Sequence, residues 1–203
     1  ILVFALLSTI TSLTANAAMI DDFNGGDMEV IATNAATEPY SSAFGGKRTI
    51  NIEKTGPRLA YSDVMLGEYS HNTASGTSAI STITWSSAFG VDLIEGRTSS
   101  SFAIEVLTID QGNIVLTLFI SDIIGNTNTV SLENTGVGTE FINFNLFTGI
   151  DFLQVNEISL EIAGGISSDL TIGSISTVPT PSILILLGMG IVAFSFNRRI
   201  TIK

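Results

Sequence analysis

The sequence predicts an all-β protein, an antiparallel β-sandwich of jelly-roll type flanked by two apolar end segments. Three observations lead there. Between residues 18 and 177 no apolar stripe recurs with the 3.6-residue period of an amphipathic helix. What recurs instead is short β-branched runs separated by Gly, Asn, Asp and Ser, the pattern of many short strands joined by tight turns. An apolar fraction of 45% with 13% charged residues is enough to fill a core and argues against disorder.

Taken in order, the candidate strands are 49–54, 59–66, 78–85, 101–109, 114–120, 127–132, 140–145, 157–162 and 170–175. In the fourth, alternation places Phe102, Ile104, Val106 and Thr108 on one face, with Ala103, Glu105, Leu107 and Ile109 on the other. The fifth is apolar on both faces and reads as a central strand. Asp110-Gln111-Gly112-Asn113 reads as a hairpin turn, and so does Ile124-Gly125-Asn126. Phe141, Phe144, Phe147 and Phe152 read as core fillers or edge covers rather than a ligand platform. Strand after strand without helical interludes leads to a two-sheet sandwich.

Composition narrows the function classes. The formal net charge is −11, and with no Cys there is no disulfide, thiol nucleophile or thiolate metal site. All 19 acids lie between Asp21 and Asp169 with five bases among them, a net −14, while Arg198, Arg199 and Lys203 follow the last apolar run. So acidic a body is unsuited to holding nucleic acid, because neutralising phosphates needs Lys and Arg.

Both ends read as targeting segments. Residues 1–17 combine an apolar stretch with Ala15-Asn16-Ala17, the cleavage pattern of a secretory signal peptide; the alternative is a buried first strand. Residues 178–203 open with Val178-Pro179-Thr180-Pro181, continue as an apolar run over 182–196, and close on Asn197-Arg198-Arg199. As a helix that run spans about 22 Å at ~1.5 Å per residue, short of a ~30 Å hydrocarbon core. The basic cluster beside it has the character of a cytoplasmic membrane flank. The expected division is therefore a signal peptide (1–17), a β-sandwich ectodomain (18–177) and a C-terminal segment with a short hydrophobic helix (178–203). An ordinary single-span anchor is the alternative for the last.

The Pro-x-Pro element at Val178, Pro179, Thr180 and Pro181, the short Gly-containing apolar run and the Arg198-Arg199 tail resemble the PEP-CTERM sorting signal of bacterial envelope proteins. Thr180 stands where that motif usually has Glu. The resemblance implies recognition by an exosortase, a membrane transpeptidase-like protease, a transient membrane anchor, and processing at the surface of a Gram-negative cell. A second resemblance runs through the body. Ile20-Asp21-Asp22-Phe23, Gly45-Gly46-Lys47-Arg48, Trp85 followed by Gly90-Val91-Asp92-Leu93, Phe144-Asn145-Leu146-Phe147 and Asp169-Leu170-Thr171-Ile172 follow an order similar to PEP-CTERM ectodomains. Those are in turn similar to galactose-binding-like jelly rolls of carbohydrate-binding modules, which implies architecture without naming a ligand.

Residue chemistry favours no enzyme. His71 is the single histidine, read as an exposed loop residue, and no Gly-x-Ser-x-Gly elbow accompanies it. Paired carboxylates suffice for glycoside hydrolysis, but nineteen acids place some pair together in any fold. A structural calcium ion between the first and last strands would take Asp21, Asp22 and Asp169. Carbohydrate binding would use Trp85 as a platform, with Tyr61 and Arg58 beside it, Tyr40 and Tyr69 being the other tyrosines; the alternative for Trp85 is the core. The leading expectation is an exported, surface-sorted, non-enzymatic protein associated with exopolysaccharide or biofilm matrix. A specific carbohydrate-binding module is the alternative, and a glycan-active hydrolase the third.

Overall fold

The structure, a computed structural model, describes residues 17–32, 35–38, 44–95, 99–110, 113–133 and 135–179, with the backbone alone for 35–38 and Pro179. In chain order the strands are β1 (Met19–Asp21), β2 (Met28–Ile31), β3 (Ala35–Glu38), β4 (Arg48–Thr55), β5 (Ala60–Met65), β6 (Glu68–Thr73) and β7 (Ser78–Val91), followed by β8 (Ser99–Asp110), β9 (Val115–Asp122), β10 (Thr127–Leu132), β11 (Gly138–Asn143), β12 (Val155–Gly164) and β13 (Asp169–Pro179). Every pairing is antiparallel. One sheet runs β11-β8-β13-β6-β5-β2, with β1 also on β13, and the other runs β10-β9-β12-β7-β4-β3. Among the described residues no helix is long and apolar enough to cross a membrane.

The all-β sandwich is as the sequence predicts, and each of the nine candidate strands has its counterpart. Four strands carry too weak a local pattern to be read: β1, β2 and β3 are short, and β6 is Glu-Tyr-Ser-His-Asn-Thr, without a β-branched run. Because β6 is a strand, His71 is fully buried and not on an exposed loop. The turn at 124–126 does form a hairpin, β9 to β10. The connection at 110–113 does not. There β8 leaves one sheet and β9 begins in the other, because β8 already has β11 and β13 on its two edges, and β9 has β10 and β12. The last strand runs through Val178 and Pro179, opposite Ser101 and Ser99, two residues beyond the expected boundary at 177. A proline is tolerated there because it ends the ladder. Residues 1–16 of the expected signal peptide (1–17), and Thr180, Pro181, Arg198 and Arg199 of the tail, lie outside the described residues.

Alternation builds the core. On β9, Leu116, Leu118 and Ile120 turn inward, opposite Ile158, Leu160 and Ile162 of β12 and Ile50 and Ile52 of β4 through the shared sheet. Burying such side chains contributes roughly 1.5–3 kcal/mol each before conformational entropy is charged. On β8 the alternation slips. Val106 pairs with Ile172 and Thr108 with Thr171, so Leu107 is an extra residue in the ladder. That bulge turns Thr108 outward, away from Phe102, Ile104 and Val106, and brings Ile109 against the core. Phe144 and Phe152 stack with centroids 4.2 Å apart, and Phe102 and Phe147 pack around them, whereas Phe141 is exposed.

A buried ion pair fastens β1 to both sheets. Arg48 Nη1 donates to Asp21 Oδ2 at 2.9 Å, with neither side chain exposed. Trp85 Nε1 donates to the same oxygen at 2.7 Å, and the Phe23 N–H to Oδ1 at 2.8 Å. Arg48 Nη2 donates to the carbonyls of Gly25 and Gly26, which pins the loop after β1. Gly45 lets this assembly close, because its φ is +70° and a Cβ there would collide with the Ser86 carbonyl. Removing one partner of a buried pair strands the other charge, which typically costs ~3–5 kcal/mol. Urea unfolding of Asp21→Asn should show a loss of that order, and the Asp21→Asn/Arg48→Met double variant less than the sum of the singles. A loss below about 1 kcal/mol for Asp21→Asn would show the pair to be dispensable.

Candidate functional site

The β5–β6 hairpin determines what each face of the seven-stranded sheet presents. Met65 pairs with Glu68 across a two-residue turn in which Leu66 and Gly67 both have positive φ (55° and 83°). A turn of that hand matches the strand twist and locks the register. Ser62, Val64, Tyr69 and His71 therefore point inward. Tyr61, Asp63, Ser70 and Asn72 point outward.

On the outer face Tyr61 of β5 is half-buried, between Asn72 of β6 and Ile31 of β2. Asn72 Nδ2 donates to Asp63 Oδ1 at 3.3 Å, and Glu29 of β2 stands directly opposite Asp63. Burial first, and the neighbouring Glu29 carboxylate second, push the Asp63 carboxyl up from its ordinary value. Further across the sheet, Ser70 pairs with Thr171 and Thr171 with Thr108, whose hydroxyl donates to it at 2.9 Å. Asp169 and Asp110 pair in the neighbouring row, at the end of the β8–β13 ladder. An aromatic ring is thus set among amide, hydroxyl and carboxylate groups, the donors and acceptors that hold a polyhydroxylated ligand.

Of the residues singled out in the sequence, Tyr61 and Asp169 share this face. Trp85 does not: it is fully buried, with its indole N–H on Asp21, and it has no ring face to offer a sugar. It is a core residue because β7 turns position 85 inward with Ile83. Arg58 is exposed in the β4–β5 connection, where its N–H donates to Thr77 Oγ1 and its carbonyl accepts from Lys54 Nζ. Tyr69 is buried, and Tyr40 lies outside the described residues. Sequence reasoning missed Asn72, Ser70, Asp63 and Glu29. The signal for the first two was the polar-outward alternation of β6, legible only once Tyr69 and His71 count as inward residues.

The structure does not bring together the three carboxylates read as calcium ligands. Asp21 spends its carboxylate on Arg48, Trp85 and Phe23, and it lies opposite Ile175. Asp169 is six residues earlier on β13, about 20 Å away at ~3.3 Å per residue, and accepts from the Thr73 N–H. Asp22 is half-buried and accepts from the Asn24 N–H. Among the described residues no three Asp, Glu or His converge to hold an ion. Among the described residues, Asp122 at the end of β9 gathers several N–H donors. Burial raises its pKa, but N–H bonds from Asp151, Asn126 and Ile124 outweigh this and hold it below the ordinary value.

Behind Tyr61, a polar chain joins the sheets through the core. Ser62 Oγ is 3.0 Å from Tyr69 Oη and 2.7 Å from Ser81 Oγ of β7, and His71 Nδ1 is 2.6 Å from the same Ser81 oxygen. Gly164 leaves room for the imidazole, since a Cβ there would stand 2.8 Å from His71 Nε2. Burial holds the His71 pKa down to about 4 and pushes the Tyr69 phenol up to about 12. With the histidine kept neutral, the unfolded chain binds the extra proton as pH falls below 6.5. Stability should therefore be intact above pH 6.5 and decline toward pH 4, by about 3 kcal/mol from this group. Urea midpoints measured across that range should show the slope, and His71→Gln should flatten it; an equal slope in the variant would refute the assignment.

No family model matches the chain, and no curated protein matches it. Several solved structures are similar. The family 11 carbohydrate-binding module of the Clostridium thermocellum cellulosomal cellulase Lic26A-Cel5E is 14% identical at a TM-score of 0.41, over 82% of this chain and 96% of that one. The TmCBM61 structure in complex with β-1,4-galactotriose is 11% identical at a TM-score of 0.37, over 72% of this chain and 89% of that one. The agarase AgWH50C is 9% identical at a TM-score of 0.47, over 81% of this chain, which spans a quarter of the agarase's length. The likeness is one of β-sandwich fold.

Proposed function

We propose that the chain is an exported, surface-sorted binding protein that holds a neutral polysaccharide on the outer face of its seven-stranded sheet without reacting with it. The observation that carries this reading is the setting of Tyr61. Its half-buried side chain lies on the outer face of the sheet between Asn72 and Ile31, beside the Asp63–Asn72 hydrogen bond. A sugar ring would stack on Tyr61 while its hydroxyls bond the amide and the carboxylate. Glu29, Asp63, Asp110 and Asp169 give that face a negative sign, which repels anionic polymers and favours neutral ones. Export through residues 1–17 is supported by their apolar and small-residue pattern. The Val178-Pro179-Thr180-Pro181 element, the apolar run and Arg198-Arg199 support exosortase-dependent sorting to a Gram-negative envelope. Matrix exopolysaccharide is the partner that fits both.

Native electrophoresis through gels containing neutral or anionic polysaccharides tests the binding. A neutral polymer should retard the protein, an anionic one should not, and Tyr61→Ala should weaken the retardation at least about tenfold, the scale of ~1.4 kcal/mol. Undiminished retardation of Tyr61→Ala would remove the site, and release of reducing ends would overturn the non-catalytic reading. For sorting, mass spectrometry of protein shed from the cell surface should find chains that end near Pro181; a retained 182–203 segment would refute processing.

A further inference from the structure

We infer that one end of the sandwich is a docking surface for a zwitterionic lipid bilayer, formed by the exposed side chains of Phe89, Ile123, Ile124 and Leu153. The chain's own ends point there. Ala18 accepts the Thr177 N–H at 2.8 Å and donates to Thr177 Oγ1 at 3.0 Å, and Pro179 pairs with Ser99. Because β1 runs antiparallel to β13, the residues preceding Met19 and those following Pro179 leave from this same end. The apolar run at 182–196 begins three residues after Pro179, so its first residue lies within about 11 Å of that strand end at ~3.6 Å per residue.

From that exit an apolar strip leads across the end of the fold. The Ser99 N–H donates to the Ile94 carbonyl, and the Leu93 N–H to the Phe152 carbonyl. Between them opens a cleft of about 470 Å³ lined by Ile94, Phe144, Phe147 and Phe152. Leu153 follows. The Ile123 N–H donates to the Gln154 carbonyl, and Gly90 approaches Gln154 so closely that a Cβ would lie 2.8 Å from its Cα. The end of β7, the turn after β9 and the loop before β12 thus meet at Gln154, and they hold out Phe89 (79% exposed), Ile124 (76%), Ile123 and Leu153. Large apolar side chains gathered on one rim mark an interaction surface. Two acids of this end are occupied by turns: Asp92 accepts from the N–H groups of Ile94 and Glu95, and Asp151 from that of Leu153.

A bilayer is the occupant that fits. An apolar run of about 22 Å is shorter than a ~30 Å hydrocarbon core, so an inserted run draws its flanks toward the headgroups. The flank nearest the domain is this rim. The net −14 of the body disfavours anionic lipid, which leaves zwitterionic headgroups. This inference rests on the reading that 182–196 enters a membrane, and its test separates the two.

The chain has no cysteine, so single-cysteine spin labels report cleanly. Ile124→Cys and Phe89→Cys would be labelled in the full chain and mixed with phosphatidylcholine vesicles. Ile166→Cys is the control, 65% exposed and placed just before Asp169 at the opposite end of β13. Floated with the vesicles, the labels at 124 and 89 should relax preferentially with oxygen, and the label at 166 with a water-soluble nickel chelate. Chains that float with all three labels in water would overturn the docking surface alone. Chains that do not float would overturn both the docking and the membrane anchoring. A labelled chain that no longer folds is recognised by its near-ultraviolet dichroism and replaced by labelling at Leu153→Cys or Ile123→Cys.

Discussion

The Asp21 carboxylate is the point on which the sandwich is hung. It is buried with the only partners that make such burial tolerable: a guanidinium from β4, an indole N–H from β7 and the backbone N–H of Phe23. Two of these come from one sheet, while Asp21 itself belongs to a strand of the other. A charge in a medium of low dielectric has steep distance dependence, so the pair resists any sliding of one sheet over the other. It also explains why so short a strand as β1 holds its place. Three residues of ladder are weak, and the clamp supplies what the ladder lacks.

The hydroxyl chain through Ser62 and Ser81 is the second tie between the sheets, and the two differ in kind. The clamp is an ion pair; the chain is neutral, and it stays so because burial keeps His71 unprotonated. Both occupy inward positions that apolar residues would fill without penalty, so both restrict how the layers pair rather than simply adding stability. Register matters here because the same strands that point Ser62 and His71 inward must point Tyr61 and Asn72 outward. A one-residue slip of the β5–β6 hairpin would exchange the polar core chain with the candidate binding face.

The two proposed surfaces lie on different parts of the fold. The Tyr61 face is a broad sheet surface along β2, β5, β6 and β13, while the apolar rim belongs to the loops at the end where the chain departs. A protein tethered at its end presents its sheet face sideways, clear of the bilayer, where an extended polymer has room to lie across several strands. Under that proposal the acidic body and the apolar rim would serve opposite purposes, one facing solvent and the other seating the base of the domain.

The sequence by itself determined the all-β class, the position of most strands and the contrast between an acidic body and apolar ends. Those features are local, since a strand advertises itself through a two-residue period and an apolar end through composition. Tertiary structure decided the fate of individual side chains. Trp85 has a core reading and a platform reading in the sequence, and only the facing of β7 toward the other sheet decides for the core. Nothing local marks Arg48 for the core; its place there depends on Asp21, 27 residues earlier, which meets it in the interior. Likewise β6 carries no β-branched signal, and it is a strand because β5 and β13 flank it, not because its own residues demand it. Asp110 to Asn113 has the composition of a hairpin turn, yet the strands on either side find their partners in opposite sheets. Local pattern specifies the period of a strand, but which of its faces is covered depends on residues far away in the chain.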